Sequence, residues 1–131
     1  MAVLLNHTIV QAYDKNESAE FLARILGLDP PRNAGHFVTV EVANGVSLDF
    51  DNIDNNPQSM HHSEKVHPQH YAFQVSDEDY DGIFERVCSA GLTYYADPLR
   101  HHAAEINTRR SGRGFYFDGP EGHNLEVFTR A

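Results

Sequence analysis

Gln69-His70-Tyr71-Ala72-Phe73-Gln74-Val75 has the alternation of a strand and carries a histidine at its head. Sixty-three residues earlier the chain carries a near copy, Leu5-Asn6-His7-Thr8-Ile9-Val10, within a strand predicted over residues 3 to 11. Each run leads into a helical pattern. In the first copy Phe21, Leu22, Ile25 and Leu26 form an apolar stripe over residues 17 to 27, with Gly27 as the stop. In the second, Ile83, Phe84, Val87 and Cys88 repeat that spacing over residues 77 to 90, after Ser76 and Asp79 in a capping-box-like start. Each copy ends in a strand bearing an acid, Val46-Ser47-Leu48-Asp49-Phe50 and Asn124-Leu125-Glu126-Val127-Phe128.

Between helix and acid, the first copy carries strands at 36 to 42 and 46 to 51, joined across Ala43-Asn44-Gly45, and a further short strand near 28 to 35. The second carries strands at 92 to 96 and 113 to 118 around a long polar loop, then a turn at Asp118-Gly119-Pro120-Glu121-Gly122. Residues 53 to 68 are rich in Asn, Asp, His, Ser and Pro without an apolar period and read as a linker. The expectation is one domain of 131 residues in the α+β class. It comprises module one (1–52), a linker (53–68) and module two (69–131), and such a chain is too short for two independent cores.

Eight Phe, six Tyr and 40% hydrophobic residues place the chain among globular domains. A formal charge of −9 with no basic run argues against nucleic acid or an anionic membrane and leaves a small molecule as the expected partner. Met1-Ala2-Val3-Leu4-Leu5 is too short for a secretory signal, and no apolar run approaches the roughly 20 residues that span a bilayer. A single cysteine, Cys88, excludes an internal disulfide and fits a cytoplasmic location, with Cys88 expected as a core thiol on the helix stripe.

If the copies fold alike and pack together, His7 meets His70 and Asp49 meets Glu126. Two imidazoles and two carboxylates at one point describe a site for a divalent metal. His7, Ile9 and Gln11 share one strand face, as do His70, Ala72 and Gln74.

These segments, with Gly114-Phe115-Tyr116-Phe117-Asp118-Gly119-Pro120-Glu121-Gly122-His123-Asn124-Leu125-Glu126, resemble the glyoxalase, bleomycin-resistance and extradiol-dioxygenase group, the vicinal oxygen chelate superfamily. The resemblance spans nearly the whole chain, although Gly119 is inserted between the Asp and Pro of the family turn. It implies two tandem βαβββ modules whose curved mixed sheets form a cleft around one divalent metal ion, Zn, Ni, Co, Fe or Mn. The family's ligand positions correspond to His7, Asp49, His70 and Glu126, the same four that the repeat selects. It also implies a homodimer, with Glu126 or Asp49 as base. With His7, His70 and Glu126 alone the site suits Fe(II) or Mn(II); with Asp49 as a fourth ligand it resembles the glyoxalase type.

A glyoxalase-like lyase or isomerase acting on a small oxygenated substrate is the leading expectation. A fosfomycin-type thiol transferase is disfavoured by Ile9, where that group carries Thr, and by the lack of its serine- and lysine-bearing loop. The resemblance is also compatible with an extradiol-type dioxygenase and with a metal-free drug-binding protein. Tyr116 is the expected donor beside substrate oxygen. Glu105, Asn107 and Arg109 alternate along the loop from Arg100 to Arg113 and are expected to face substrate from a lid, with Gln74 and Ile9 lining the cleft. His61, His62 and His67 are read as solvated, His36 and His101-His102 have no stronger claim, and His123 is read as supporting the turn beside Glu126.

Overall fold

The computed structural model describes residues 1–59 and 61–131. The chain divides into two compact units, Met1–His67 and Pro68–Ala131. Among the described residues no helix is long and apolar enough to cross a membrane.

Unit 1 runs β1 (His7–Ala12), α1 (Lys15–Leu26), β2 (Arg32–Ala34), β3 (Phe37–Glu41) and β4 (Ser47–Asn52). Unit 2 runs β5 (His70–Gln74), α2 (Asp77–Ser89), β6 (Tyr94–Tyr95), β7 (Gly114–Asp118) and β8 (Asn124–Phe128). Each builds one four-stranded mixed sheet, in the orders β1-β4-β3-β2 and β5-β8-β7-β6. The first and last strands of each unit pair in parallel, and the remaining pairs are antiparallel. These are the two tandem βαβββ modules that the repeat predicts.

Helix boundaries follow capping chemistry. Asp14 accepts hydrogen bonds from the backbone N–H groups of Asn16 and Glu17 to start α1, and Gly27 closes it at φ +70°, where a Cβ would be strained. The Ser76 hydroxyl accepts from the Asp79 N–H to start α2. Strand alternation then sorts the sheet residues. In unit 1, Val10, Phe50 and Val38 align across three strands and are buried, and α1 packs across those strands. In unit 2, Phe115, Phe117 and Val127 are at most 1% exposed, and the rings of Tyr80 and Phe84 on α2 meet Phe115 at 5.5 and 5.4 Å. The opposite face of each sheet is thereby left for polar residues.

Three expectations are corrected. The first strand begins at His7 rather than residue 3, because its partner β4 begins at Ser47, just past the Gly45 turn; Val3, Leu4 and Leu5 are exposed and unpaired by any strand among the described residues. The strand expected at 92 to 96 shrinks to Tyr94–Tyr95, since the Asp97 carboxylate captures the backbone N–H groups of His101 and His102 and bends the chain away. Cys88 is exposed, because the buried stripe of α2 runs through Tyr80, Ile83 and Val87, one position out of phase with it.

Tyr80 yields a stability prediction. Its ring is 2% exposed, and its hydroxyl is buried without a hydrogen-bond partner among the described residues. Burial pushes its pKa up to about 12, against the opposing pull of Arg113. The unfolded chain releases this proton near pH 10 and the folded chain holds it, so the contribution is present below pH 10 and is lost as pH rises toward 12. Tyr80→Phe removes the orphaned hydroxyl and keeps the ring. Urea unfolding at pH 7 is expected to show it neutral or up to about 1 kcal/mol more stable, with a shallower loss between pH 10 and 12.

Candidate active site

The polar face of the unit 2 sheet is ordered by register. Ala72 on β5, Glu126 on β8, Tyr116 on β7 and Tyr95 on β6 pair in turn and form one row across the sheet. His70 lies two residues before Ala72 and therefore on the same face. Unit 1 repeats this register: Ile9, Asp49, Thr39 and Arg32 form the corresponding row, with His7 two residues before Ile9. Each acid thus stands opposite the residue two places after a histidine. The repeat seen in sequence holds at the level of individual strand pairs.

His70 Nε2 lies 3.1 Å from Glu126 Oε1, and His70 Nδ1 lies 2.8 Å from Asn124 Oδ1. The amide oxygen only accepts, so the Nδ1–H donates to it and Nε2 is the ring atom left to face the carboxylate. Two lone-pair donors facing one another at this distance call for a cation between them, either a proton or a metal ion. A carboxylate and an imidazole fixed by an outer amide are a donor set that fits a divalent ion. Among the described residues, no third His, Cys, Asp or Glu of unit 2 joins the pair in a metal-holding group.

The pair extends into a hydrogen-bonded chain. Arg109 Nη1 donates to the Tyr116 hydroxyl at 2.8 Å, and that hydroxyl also bonds to Glu126. Burial and the neighbouring Glu126 charge hold the Tyr116 phenol above its ordinary pKa, with Arg109 pulling the other way. Tyr116 is therefore a protonated donor at neutral pH. His123, 1% exposed, accepts the Gln69 N–H at Nδ1 over 2.9 Å, while its carbonyl accepts from Gly119 N–H, so it braces both the turn and the residue preceding His70.

In unit 1, Thr39 Oγ1 donates to Asp49 Oδ1 at 2.9 Å, and His7 Nδ1 bonds Asn6 Oδ1 at 2.7 Å on an exposed edge. Ile9 is half-buried opposite Asp49. His61, expected to be solvated, instead places Nε2 3.1 Å from the buried Asp51 carboxylate, which also draws His36 to 3.4 Å and ties the linker to β4.

A cavity of about 350 Å³ lies beside the row and includes Tyr116, Glu126, Asn107 and Arg109 in its lining. A larger one, of about 530 Å³, lies in unit 1 around Leu28–Pro30, Arg32, Thr39 and Glu41. Its Arg32 faces Glu41 at 3.9 Å, and among the described residues Glu41 and Asp29 are its acids. The smaller cavity holds the reactive groups.

The loop from Arg100 to Arg113 is tied down at several points. Asn107 exchanges backbone hydrogen bonds with Gly114 and donates its side-chain amide to Ala96 O at 3.0 Å, so it clamps the loop at the cavity edge. Arg100 makes a two-point pair with Asp118. Glu105 is exposed, 3.4 Å from His102, and is absent from the cavity wall; Gln74 is also exposed and outside it, opposite Phe128. Sequence reasoning missed Arg110, Arg113 and Arg130, which line the cavity. The available signal was their clustering in a chain of only ten Lys and Arg residues.

Residues 4–127 match the glyoxalase/bleomycin resistance protein/dioxygenase superfamily. The chain belongs to that superfamily. Among solved structures, Oxidase ChaP-H1 superposes with a TM-score of 0.89 at 49% identity, covering 99% of this chain and 98% of that one. Oxidase ChaP-H2 superposes at 0.90 with 51% identity, covering 100% and 96%. Glutathione transferase FosA of Serratia marcescens is 29% identical over 127 residues, 94% of this chain and 78% of the relative. Superfamily members commonly use a divalent metal and bind small molecules.

Proposed function

We propose that this superfamily member is an oxidase-type metalloenzyme acting on a small oxygenated substrate, with dioxygen as the oxidant. The observation that carries the site is the facing of His70 Nε2 and Glu126 Oε1 at 3.1 Å, joined through Tyr116 to Arg109. Near-50% identity along almost the whole chain to two proteins named oxidases favours oxidation over the lyase or isomerase reading.

His70 and Glu126 are the proposed metal ligands in unit 2, and His7 and Asp49, at the equivalent register positions of unit 1, are the proposed ligand residues there. A bound divalent ion would polarise substrate oxygen and, as iron or manganese, supply a path for electrons. Glu126 is placed to take a proton from an enol or phenol. The Tyr116 O–H is the donor for a developing oxyanion, and Arg109 fixes its direction. Asn124 holds the His70 tautomer. A homodimer is proposed as the assembled state and the cytoplasm as its location.

Oxygen-electrode assays of iron- and manganese-loaded protein on a panel of phenols and enolisable ketones test the reading. Oxygen uptake that tracks substrate loss is expected. Isomerisation of a glutathione hemithioacetal without oxygen uptake would return the assignment to the glyoxalase-like lyase. Tyr116→Phe is expected to lower kcat by about 10²-fold while bound metal stays unchanged, as measured by steady-state kinetics alongside metal analysis.

A further inference from the structure

Four of the chain's ten Lys and Arg residues, Arg109, Arg110, Arg113 and Arg130, line the cavity beside Tyr116 and Glu126. In a chain of formal charge −9 this is a local reversal of sign, and Glu126 is the only carboxylate residue in the lining among the described residues. Carboxylates outside the cavity wall account for two of the four. Arg113 pairs with Asp81 at 2.7 Å and Asp77 at 3.3 Å, and Arg130 reaches Asp77 at 3.6 Å. Arg109 bonds the uncharged Tyr116 hydroxyl. Arg110 makes no hydrogen bond or ion pair with any described residue.

The backbone at this position is bent against preference. Arg110 and Ser111 both adopt left-handed φ values, +54° and +60°, which cost about 1 kcal/mol or more each for residues with a Cβ. The distortion is held from both sides. Asn107 and Gly114 close the loop through paired backbone hydrogen bonds, and Gly112 allows a close approach that a Cβ would block, 2.6 Å from Arg130 Cγ and 2.7 Å from Thr129 Oγ1. A merely solvated arginine requires none of this. The loop keeps an uncompensated guanidinium at the wall of a cavity that also presents Tyr116 and Phe128.

We propose that Arg110, assisted by Arg109, forms an oxyanion-binding subsite, and that the substrate is a planar or aromatic molecule carrying an ionised oxyanion. The guanidinium fork matches carboxylate and phosphate oxygens in two-point contact, while the aromatic side chains accept the flat body. This rests on the cavity at Glu126 and Tyr116 being the substrate site proposed above.

The test is binding of 2-naphthoate, 2-naphthyl phosphate and uncharged 2-naphthamide to full-length protein by calorimetry in the presence of chelator. It requires neither bound metal nor turnover, so failure of the oxidase reading does not decide it. At least one anion is expected to bind about tenfold or more tightly than the amide, and the tighter of the two identifies the oxyanion as carboxylate or phosphate. Arg110→Gln is expected to weaken that anion by about tenfold or more and leave the amide unchanged, while Arg110→Lys retains part of the preference. Equal binding of the amide and both anions, an Arg110→Gln variant with unchanged anion affinity, or equal weakening of all three ligands would overturn the subsite.

Discussion

Glu126→Gln is expected to abolish retention of divalent metal and to lower turnover by about 10³-fold or more, while leaving the melting temperature unchanged or raised when both it and the wild type are stripped of metal. Gln keeps the shape of Glu and removes the charge, so the effect isolates the carboxylate's role as ligand and base. The side chain is 17% exposed, opposite the half-exposed His70, and is proposed to face that imidazole across a metal. With neither a metal nor a proton between them, the carboxylate and the Nε2 lone pair oppose one another, and the amide can donate to that lone pair instead. Loss of function with retained or improved stability is the pattern of a site held at some cost to the fold. Metal analysis and steady-state kinetics of one preparation, with thermal unfolding of a chelator-treated portion of it, check the three parts together.

Phe115→Ala is expected to have the largest effect on stability, about 3–5 kcal/mol, read as a fall in the urea midpoint and a loss of about 10 °C or more in Tm. Phe115 is fully buried, and the rings of Tyr80, Phe84, Tyr94 and Phe117 surround it at 5.4 to 6.0 Å. It lies on β7 next to Tyr116, whose side chain takes the opposite face. Truncation therefore leaves a cavity under the strand that carries the proposed donor, and activity should fall only as the folded fraction falls. Tyr116→Phe has the converse expectation, with little change in stability and a fall in kcat.

The paired modules were legible because one hydrophobic pattern, with a histidine at its head and an acid at its end, occurs twice in 131 residues. Strand pairing then carries His70 and Glu126 to one face of one sheet without any special geometry. What sequence did not reveal depends on contacts that periodicity does not encode. Cys88 reads as part of the apolar stripe because Tyr80, a better anchor two turns earlier, has a polar end; the buried face rotates toward Tyr80 and leaves the thiol outside. Asn107 reads as a substrate contact by alternation and does line the cavity, while the bond from its amide to the Ala96 carbonyl is a contact that alternation does not encode. Arg110 was invisible for a related reason. Its position depends on left-handed backbone at two residues that are not glycine, a conformation sustained by the Asn107–Gly114 clamp rather than by local preference.

The most direct test of the proposed centre is metal content, by plasma mass spectrometry, of untagged wild-type, His70→Ala and Glu126→Gln proteins purified anaerobically without chelator and then titrated with Fe(II), Mn(II) and Zn(II). The account predicts near-stoichiometric metal in the wild type and its loss in both variants. Equal metal uptake by all three proteins would contradict the assignment of His70 and Glu126 as ligands.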